Sequence, residues 1–219
     1  MKISILTLFP EFFDGFLTNS IIKRAIAKEQ VEIEIVNIRD YTLDKYGRVD
    51  SAPVGGGAGL IMKCQPIIDC LNANKPETSK VVMLSPRGKT YNQSKAKELT
   101  SYKHLIIICG HYEGFDERIY SLADECISIG NFILTGGELP SMMISDSVIR
   151  LLNGVITDTS LEYESFNDNL LDYPVYTKPR DFRGMIVPEV LVSGDHKKID
   201  EYREEMRKKI TKEYREDLM

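Results

Sequence analysis

The sequence has no tryptophan, only three histidines and only four cysteines among its 219 residues. Cys64, Cys70, Cys109 and Cys126 form no CxxC pair, which argues against a zinc site, and the sequence suggests no other metal-ligand set. We expect free thiols in a reducing, cytoplasmic environment, with Cys109 buried inside the apolar run 105–109.

Long apolar runs are also missing. Every apolar run is shorter than the roughly 18 residues that a membrane helix requires, so we expect no membrane segment. Residues 3–9 form one such short run, and Pro10, Glu11 and Asp14 follow it without a small-residue cleavage pattern. We therefore expect residues 3–9 to belong to a first strand and not to a signal peptide.

Acidic residues outnumber basic ones, because 28 Lys and Arg stand against 33 Asp and Glu, a formal charge of −5. This balance argues against general affinity for polyanions. The segment 151–177 contains five acids and no Lys or Arg, whereas residues 197–219 contain eight basic residues against seven acids. The acidic balance does not exclude a nucleic-acid partner, but contacts with phosphates would have to come from local basic side chains, above all those of residues 197–219.

The first two thirds of the chain alternate between strand-like and helix-like segments. Strands are predicted at residues 2–9, 31–37, 81–84, 105–109 and 126–129, and helices at residues 21–30, 65–74, 93–99, 116–123 and 141–152. This alternation predicts an α/β fold with a mostly parallel sheet.

The alternation stops after the last of these helices. Residues 157–176 show little periodicity, and a charged helix with one apolar stripe is predicted at residues 195–215. The simplest division is an α/β domain at residues 1–156, a linker at 157–170 and a small helical domain at 171–219.

The glycine cluster at residues 55–59 matches neither of two common nucleotide-binding patterns. Leu60 stands where a GxGxxG fingerprint needs its third glycine, the preceding residues do not form a strand, and no GxxxxGK is present. Two interpretations stay open: a flexible surface loop, or a backbone that approaches a ligand closely.

Three other glycine-bearing turns follow predicted strands, at residues 84–88, 109–114 and 129–138. In open α/β sheets, ligands bind at the carboxyl ends of the strands, so these turns predict one shared ligand site.

Other polar residues have ordinary interpretations when taken alone. Arg150 follows Asp146 by one helical turn and could form a surface ion pair, Glu164 could be a solvated acid, and His111 could be a hydrogen-bonding group in a turn.

Many short stretches together resemble one enzyme family, the bacterial tRNA (guanine-N1)-methyltransferases that modify guanosine 37, beside the anticodon. They occur in the family's order across nearly the whole chain. The matching stretches are LTLFP at 6–10, PVGGGAGL at 53–60, LSPRG at 84–88, CGHYEGFDER at 109–118, SIGNFILTGGELP at 128–140, DSV at 146–148, ESF at 164–166, LLD at 170–172, YTKP at 176–179 and VPEVLVSG at 187–194.

The resemblance implies an α/β fold of the SPOUT superfamily, with a C-terminal trefoil knot in the mostly parallel-sheet domain and a small helical C-terminal domain. It implies S-adenosylmethionine as methyl donor and tRNA with guanosine 37 as substrate. It also implies a homodimer whose active site lies at the subunit interface. The family's chemistry is associated with Mg²⁺, for which the sequence suggests no particular ligands.

The cofactor pocket that the resemblance implies is formed by the three glycine turns. Their backbone groups can bind adenine and ribose without side-chain bulk, and a carboxylate favours the cationic sulfonium. The implied cofactor-binding residues are Leu84, Ser85, Pro86, Gly110, Tyr112, Glu113, Ser128, Ile129, Gly130, Asn131, Phe132, Ile133, Leu134, Gly136, Gly137 and Pro140.

The implied catalytic residues are Glu164, Ser165 and Arg150. N1 of guanine carries a proton and becomes nucleophilic only as that proton leaves, so the reaction needs a base. The family places an acid, usually aspartate, directly before Ser-Phe, and Glu164 has that position here. Ser165 would help to order the loop, and Arg150 would stabilise the negative charge that develops on O6.

Two other functions are weighed against this one: a knotted methyltransferase acting on a ribose 2′-oxygen or another base of RNA, and a non-enzymatic module that binds RNA or nucleotides. The acid before Ser-Phe and the YTKP stretch favour guanine N1 over the other methylation sites. The combination of Glu164 with Arg150 favours an enzyme over a binding module.

Overall fold

The computed structural model describes residues 1–162 and 164–219. The chain forms two compact units, Met1–Ile156 and Thr157–Met219. Within the described residues, none of the helices combines the length and the apolarity needed to cross a bilayer.

The first unit is built on a five-stranded parallel sheet, which confirms the predicted α/β class. The strands of this unit are β1 (Lys2–Thr7), β2 (Glu32–Asn37), β3 (Asp50–Ser51), β4 (Ile61–Met62), β5 (Ser79–Thr90), β6 (His104–Ile108) and β7 (Glu125–Ser128). The sheet has the order β2-β1-β6-β5-β7, and β3 pairs with β4 in a small antiparallel ribbon.

Helices cover both faces of the sheet. The helices of the first unit are α1 (Asp14–Thr18), α2 (Ser20–Ala27), α3 (Cys64–Asn74), α4 (Gln93–Leu99) and α5 (Glu138–Ile149). Alternate side chains of β1 and β6 enter opposite cores: Ile5 and Ile107 pack on one face, and Leu6 and Ile108 on the other. Both strands are buried on both faces, which explains why their sequences are mostly apolar, and the polar side chains of Ser4, Thr7 and His104 are buried with them.

Three predicted elements of this unit differ in the structure. Residues 116–123 contain a 3-10 helix, Glu117–Leu122, whose cap Asp116 accepts a hydrogen bond from the amide of Arg118. The last helix, α5, begins at Glu138, so Pro140 lies in its first turn, where a missing amide hydrogen costs little. The strand predicted at 81–84 continues to Thr90, because residues 85–88 leave the sheet and Lys89 pairs with β7 again.

The second unit contains α6 (Asp158–Glu162), α7 (His196–Tyr214) and a two-stranded antiparallel sheet of β8 (Asp181–Phe182) and β9 (Met185–Ile186). The helix predicted at 195–215 is confirmed as α7, and its cap Asp195 accepts a hydrogen bond from the amide of Lys198. The β8–β9 hairpin corrects the expectation of a purely helical unit. Residues 157–170, predicted as a linker, fold in the same compact unit as α7.

Candidate functional site

The three glycine-bearing turns meet around one cavity of about 500 Å³ at the carboxyl ends of the parallel strands. All but one of the predicted cofactor-binding residues line this cavity, and the exception is Asn131. The structure therefore brings together side chains and backbone groups that lie up to 56 residues apart in the sequence, from Leu84 to Pro140.

Further residues line the cavity besides those predicted to bind the cofactor. Most of them lie inside the matched stretches, next to predicted residues, whereas Tyr120 and Ile127 lie outside every matched stretch. The additional lining residues are Arg87, His111, Gly114, Phe115, Tyr120, Ile127 and Thr135.

Two glycines join the second and third turns closely in the cavity wall. The amide of Gly137 donates to the carbonyl oxygen of Gly110 at 2.8 Å. A Cβ atom at Gly137 would lie 2.7 Å from Cα of Cys109, and one at Gly110 would lie 2.9 Å from the Phe115 ring. Side chains at these positions would push the turns apart, so glycine is required by packing here.

The turn after β7 is held by a side chain at its start. The hydroxyl of Ser128 donates to the carbonyl oxygen of Gly130 at 3.1 Å and accepts from its amide at 3.3 Å. Gly130 has φ +148°, a backbone conformation that other residues rarely adopt, and a Cβ there would lie 2.7 Å from the Phe132 ring. Glycine at this position therefore lets the turn pack closely beneath the Phe132 ring.

A polar and aromatic wall borders the cavity beside the excursion at residues 85–88. The hydroxyl groups of Ser85 and Tyr120 lie 3.2 Å apart. The guanidinium of Arg87 lies over the Tyr120 ring, 4.6 Å from its centroid, and forms an ion pair with Glu117 at 2.7 Å. Both charged side chains are exposed, so the pair contributes little to stability, roughly 0–1 kcal/mol.

The imidazole of His111 packs against aromatic rings at the cavity. Its centroid lies 4.8 Å from that of Phe9 and 5.0 Å from that of Tyr112. In the described part of the chain, the buried Nδ1 atom has no hydrogen-bond partner. A buried polar atom without a partner is costly, so this nitrogen could bind a polar atom of a ligand.

Glu113 links the cavity to the glycine cluster. Its amide donates to the carbonyl oxygen of Leu60 at 2.9 Å, and a Cβ at Gly59 would lie 2.5 Å from Cγ of Glu113. A Cβ at Gly55 or Gly56 would instead meet no described atom within 4 Å. The first part of the cluster is therefore an exposed loop, and Gly59 packs closely against Glu113, whereas a close approach to a ligand stays a prediction.

Cys109 is fully buried beside the cavity, as predicted. Burial is the main cause that raises the pKa of its thiol, and the nearby charge of Glu138 adds to this effect. The carboxylate of Glu138 is itself buried and accepts a hydrogen bond from the Thr7 hydroxyl at 2.8 Å. Cys109 is therefore a packing residue and not a nucleophile.

The predicted catalytic residues belong to different units. Arg150 directly follows α5 in the first unit, and its amide donates to the carbonyl oxygen of Asp146. Glu164 and Ser165 belong to the second unit. There the Ser165 hydroxyl accepts a hydrogen bond from the amide of Asp172 at 3.0 Å, which closes the loop that contains both residues.

A second concavity, of about 730 Å³, lies at the opposite, amino-terminal end of the sheet. It is bordered by exposed or half-exposed charged side chains, among them Lys2, Glu29, Glu32 and Lys103. It contains none of the glycine turns, so we assign the functional site to the smaller cavity.

Metal ligands are not clustered in the described residues. Within residues 1–162 and 164–219, no three side chains of the His, Cys, Asp and Glu types are placed to hold a metal ion. The Mg²⁺ that the resemblance implies therefore stays a prediction without an assigned site.

Comparison with known proteins agrees with the resemblance read from the sequence. The model of the family described as tRNA (Guanine-1)-methyltransferase TrmD matches residues 1–219. A tRNA (guanine-N(1)-)-methyltransferase of Malacoplasma penetrans is 56% identical over all of this chain and 96% of its own length. Enzymes with the same name from Ureaplasma urealyticum and Clostridioides difficile are 54% and 52% identical, again over all of this chain and over 96% and 97% of their own lengths. The chain therefore belongs to the tRNA (guanine-1)-methyltransferase TrmD family.

Proposed function

We propose that this protein transfers a methyl group from S-adenosylmethionine to N1 of guanosine 37 in tRNA, as a cytoplasmic homodimer. The observation that carries the proposal is the convergence of three glycine turns on one cavity in a chain of this family. The family membership supports a methyl donor and a tRNA substrate, and the cavity supports the place where the donor binds.

The cavity fits S-adenosylmethionine in size and chemistry. Its volume of about 500 Å³ is in the range of small-molecule sites. Backbone groups near Gly110, Gly130 and Gly137 can bind adenine and ribose, and the Glu113 carboxylate favours a cationic sulfonium. When bound, S-adenosylmethionine supplies the electrophilic methyl group.

Glu164 is the proposed general base. Its carboxylate accepts the proton of guanine N1, which frees a lone pair on that nitrogen for methyl transfer, a role typically worth roughly 10²–10⁴-fold in rate. The glutamate keeps the carboxylate of the family's usual aspartate and adds one methylene, so the reach of the carboxylate from the backbone is longer. Ser165 contributes by closing the loop through its hydrogen bond from the Asp172 amide.

Arg150 is the proposed partner of guanine O6. Deprotonation of N1 moves negative charge onto O6, and a guanidinium donates hydrogen bonds to that oxygen while compensating the charge. In the proposed dimer, Arg150 of one subunit and the second unit of its partner complete one active site.

The course of the chain around the cavity supports a SPOUT-type trefoil knot. Residues 85–88 leave the sheet, and Leu84 and Lys89, on either side of them, both pair with Ile127 of β7. A Cβ atom at Gly88 would lie 2.5 Å from the backbone of Ile127, so this excursion packs directly on β7. The residues after β7 then return to the end of β6, where Gly137 binds Gly110.

An exposed apolar surface next to the cavity supports the homodimer. Leu139 and Met143 lie one turn apart on α5, and both are about half exposed; Ile133, in the preceding turn, is 79% exposed. Contiguous exposed apolar side chains typically mark a protein interface. We propose that this surface, defined by Ile133, Leu139 and Met143, packs against the second subunit.

We propose that the second unit contributes tRNA binding. Residues 157–170 supply the catalytic loop, and residues 171–219 supply the basic side chains of α7 for phosphate contacts. Because acidic residues balance these charges, recognition rests on local contacts and on the shape of the RNA.

The function is tested with labelled S-adenosylmethionine and two tRNA transcripts that differ only at position 37, guanosine in one and adenosine in the other. Labelling of the guanosine transcript alone supports the proposal. Equal labelling of both transcripts indicates a different methylation site and contradicts it. Absence of labelling in either, with RNA binding retained, indicates a non-enzymatic binding module and also contradicts it.

A further inference from the structure

The loop that contains the proposed base has an unusual backbone. Phe166, Asp168 and Asn169 have φ angles of +72°, +53° and +58°. Residues other than glycine rarely adopt positive φ, and a phenylalanine does so less readily than an asparagine. Three such residues within four positions persist only where surrounding contacts hold them.

One source of these contacts is Arg207 on α7, a cation that is only 7% exposed. Its Nη2 donates to the carbonyl oxygen of Asn167 at 3.3 Å, and its Nε donates to that of Leu171 at 3.4 Å. Its Nη1 pairs with Glu204 at 3.2 Å, and that carboxylate is about half exposed. The planar guanidinium thus spans the loop from residue 167 to residue 171 with donors that an ammonium group could not place in the same way.

The second source is Thr211, one turn further along α7 and fully buried. Its hydroxyl accepts a hydrogen bond from the amide of Leu171 at 2.8 Å and donates to the carbonyl oxygen of Arg207 at 2.7 Å. Leu171 is therefore bound at both its amide and its carbonyl oxygen by two consecutive turns of one helix.

These contacts continue to the proposed base through the loop itself. The amide of Asp172 donates to the Ser165 hydroxyl, and the amide of Phe166 donates to the carbonyl oxygen of Leu170 at 2.7 Å. The carbonyl oxygen of Glu164 accepts from the amide of Asn167 at 3.3 Å. Residues 164 and 171 are thus ends of one hydrogen-bonded loop, and α7 fixes one of those ends.

We propose that Arg207 and Thr211 are positioning residues that set the orientation of Glu164 for proton abstraction. The inference rests on the proposed function, in which Glu164 is the base. It gives α7 a role in the chemical step, in addition to any contact of its exposed basic residues with tRNA. Neither side chain needs to touch the substrate, because both act through the backbone at residues 167 and 171.

The test compares Thr211→Val, which removes the hydroxyl at nearly constant volume, with Thr211→Ser, which keeps it. The readouts are the single-turnover rate with saturating tRNA, the affinity for S-adenosylmethionine and the thermal midpoint of the full-length dimer. We expect Thr211→Val to lower the rate by roughly 10- to 100-fold at unchanged cofactor affinity, because small displacements of a catalytic group have effects of this size. Thr211→Ser is expected to restore most of the rate.

Arg207→Lys provides an independent variant if Thr211→Val does not fold. Lysine keeps the positive charge, but its ammonium group cannot donate to the carbonyl oxygens of Asn167 and Leu171 in the same geometry. The same loss of rate is therefore expected. A fully folded Thr211→Val or Arg207→Lys protein that transfers methyl groups at the parental rate would overturn the proposal.

A double-mutant cycle separates positioning from a general structural effect. In a Glu164→Gln background the base is absent, so Thr211→Val is expected to cause no further loss of rate. An equal loss in both backgrounds would show that Thr211 does not act through Glu164 and would overturn the inference. A Glu164→Gln protein that keeps the parental rate would instead show that Glu164 is not the general base. That result concerns the proposed function, and the single variants at residues 207 and 211 cannot give it.

Discussion

The amide of Gly137, just before α5, binds the carbonyl oxygen of Gly110, just after β6, at 2.8 Å. This contact joins the third glycine turn to the second across the wall of the cavity. It also sets the start of α5, the helix that presents Leu139 and Met143 on the proposed dimer surface and ends at Arg150. The hydrogen bond between Gly137 and Gly110 thus supports three features: the proposed cofactor site, the proposed dimer surface and Arg150, the proposed partner of guanine O6.

Gly137→Ala is expected to destabilise the protein and to weaken binding of S-adenosylmethionine by more than tenfold. The added methyl group would lie 2.7 Å from Cα of Cys109, and backbone atoms cannot yield as a flexible side chain can. Overpacking of this kind costs about 1–3 kcal/mol in the free energy of unfolding. Calorimetric titration and thermal unfolding check both effects. Gly15→Ala is the matched control, since its Cβ would meet no described atom within 4 Å and it lies in α1, where alanine is favourable.

Glu113→Gln is expected to weaken binding of S-adenosylmethionine by about tenfold while changing the affinity for S-adenosylhomocysteine much less. The two ligands differ in the charge on sulfur, and the substitution removes a negative charge at nearly constant shape. Parallel calorimetric titrations give the ratio of the two effects. Equal losses for both ligands would show that the Glu113 carboxylate does not act on the sulfonium.

Met143→Lys is expected to convert the proposed dimer into monomers and to abolish methyl transfer. Met143 is 54% exposed on α5, and a lysine there would place a charge in the proposed subunit interface. Light scattering after size-exclusion chromatography measures the mass. Leu43→Lys serves as the control, because Leu43 is 84% exposed and lies outside the proposed interface. A Met143→Lys protein that stays dimeric and active would exclude this surface as the interface.

Stability is expected to fall as the pH is lowered below about 6.5, because of His104. Burial and the nearby charge of Lys2 lower the pKa of His104 from its ordinary value of 6.5, although Glu34 and Glu32 oppose this shift. The unfolded chain therefore binds the proton more readily than the folded one, so the His104 contribution is present above pH 6.5 and is lost as the pH falls through the folded-state pKa. Denaturant titrations across this range check the slope.

The control for this pH dependence is His104→Gln, whose amide can keep the hydrogen bond to Ser4, which His104 makes at 2.9 Å. This variant should lose the slope near neutral pH. The carboxyl group of Asp44, whose pKa lies at about 2 because of Arg48, titrates at a much lower pH and does not interfere. An unchanged slope in the variant would assign the pH dependence to other groups.

The sheet was predictable because the sequences of its central strands are mostly apolar. Residues 105–109 are apolar without interruption, and residues 3–8 are interrupted only by Ser4 and Thr7, which is typical of strands buried on both faces. The return of β5 to the sheet at Lys89 was not predictable, because Lys89 and Thr90 carry no apolar strand pattern and pair with β7 only after residues 85–88 have left the sheet. The 3-10 helix Glu117–Leu122 was mistaken for an α-helix because its cap and apolar spacing suit either form over six residues.

The glycine turns could be found from the sequence, since glycines after strands at a sheet edge have a physical reason. Tyr120 could not, because only the packing of its 3-10 helix turns this ring toward Arg87 and the cavity. Arg207 likewise looks like one more charge on a charged helix. Its burial and its hydrogen bonds to Asn167 and Leu171 emerge only when residues 164–172 fold against α7.

Methylation of guanosine 37 at N1 is tested most directly by nucleoside analysis of tRNA after reaction with the protein and S-adenosylmethionine. Nuclease digestion and mass spectrometry identify the modified nucleoside, and fragment mapping gives its position. We expect 1-methylguanosine at position 37 and no other new modification. A 2′-O-methylated nucleoside, or 1-methylguanosine at another position, would contradict the proposed function.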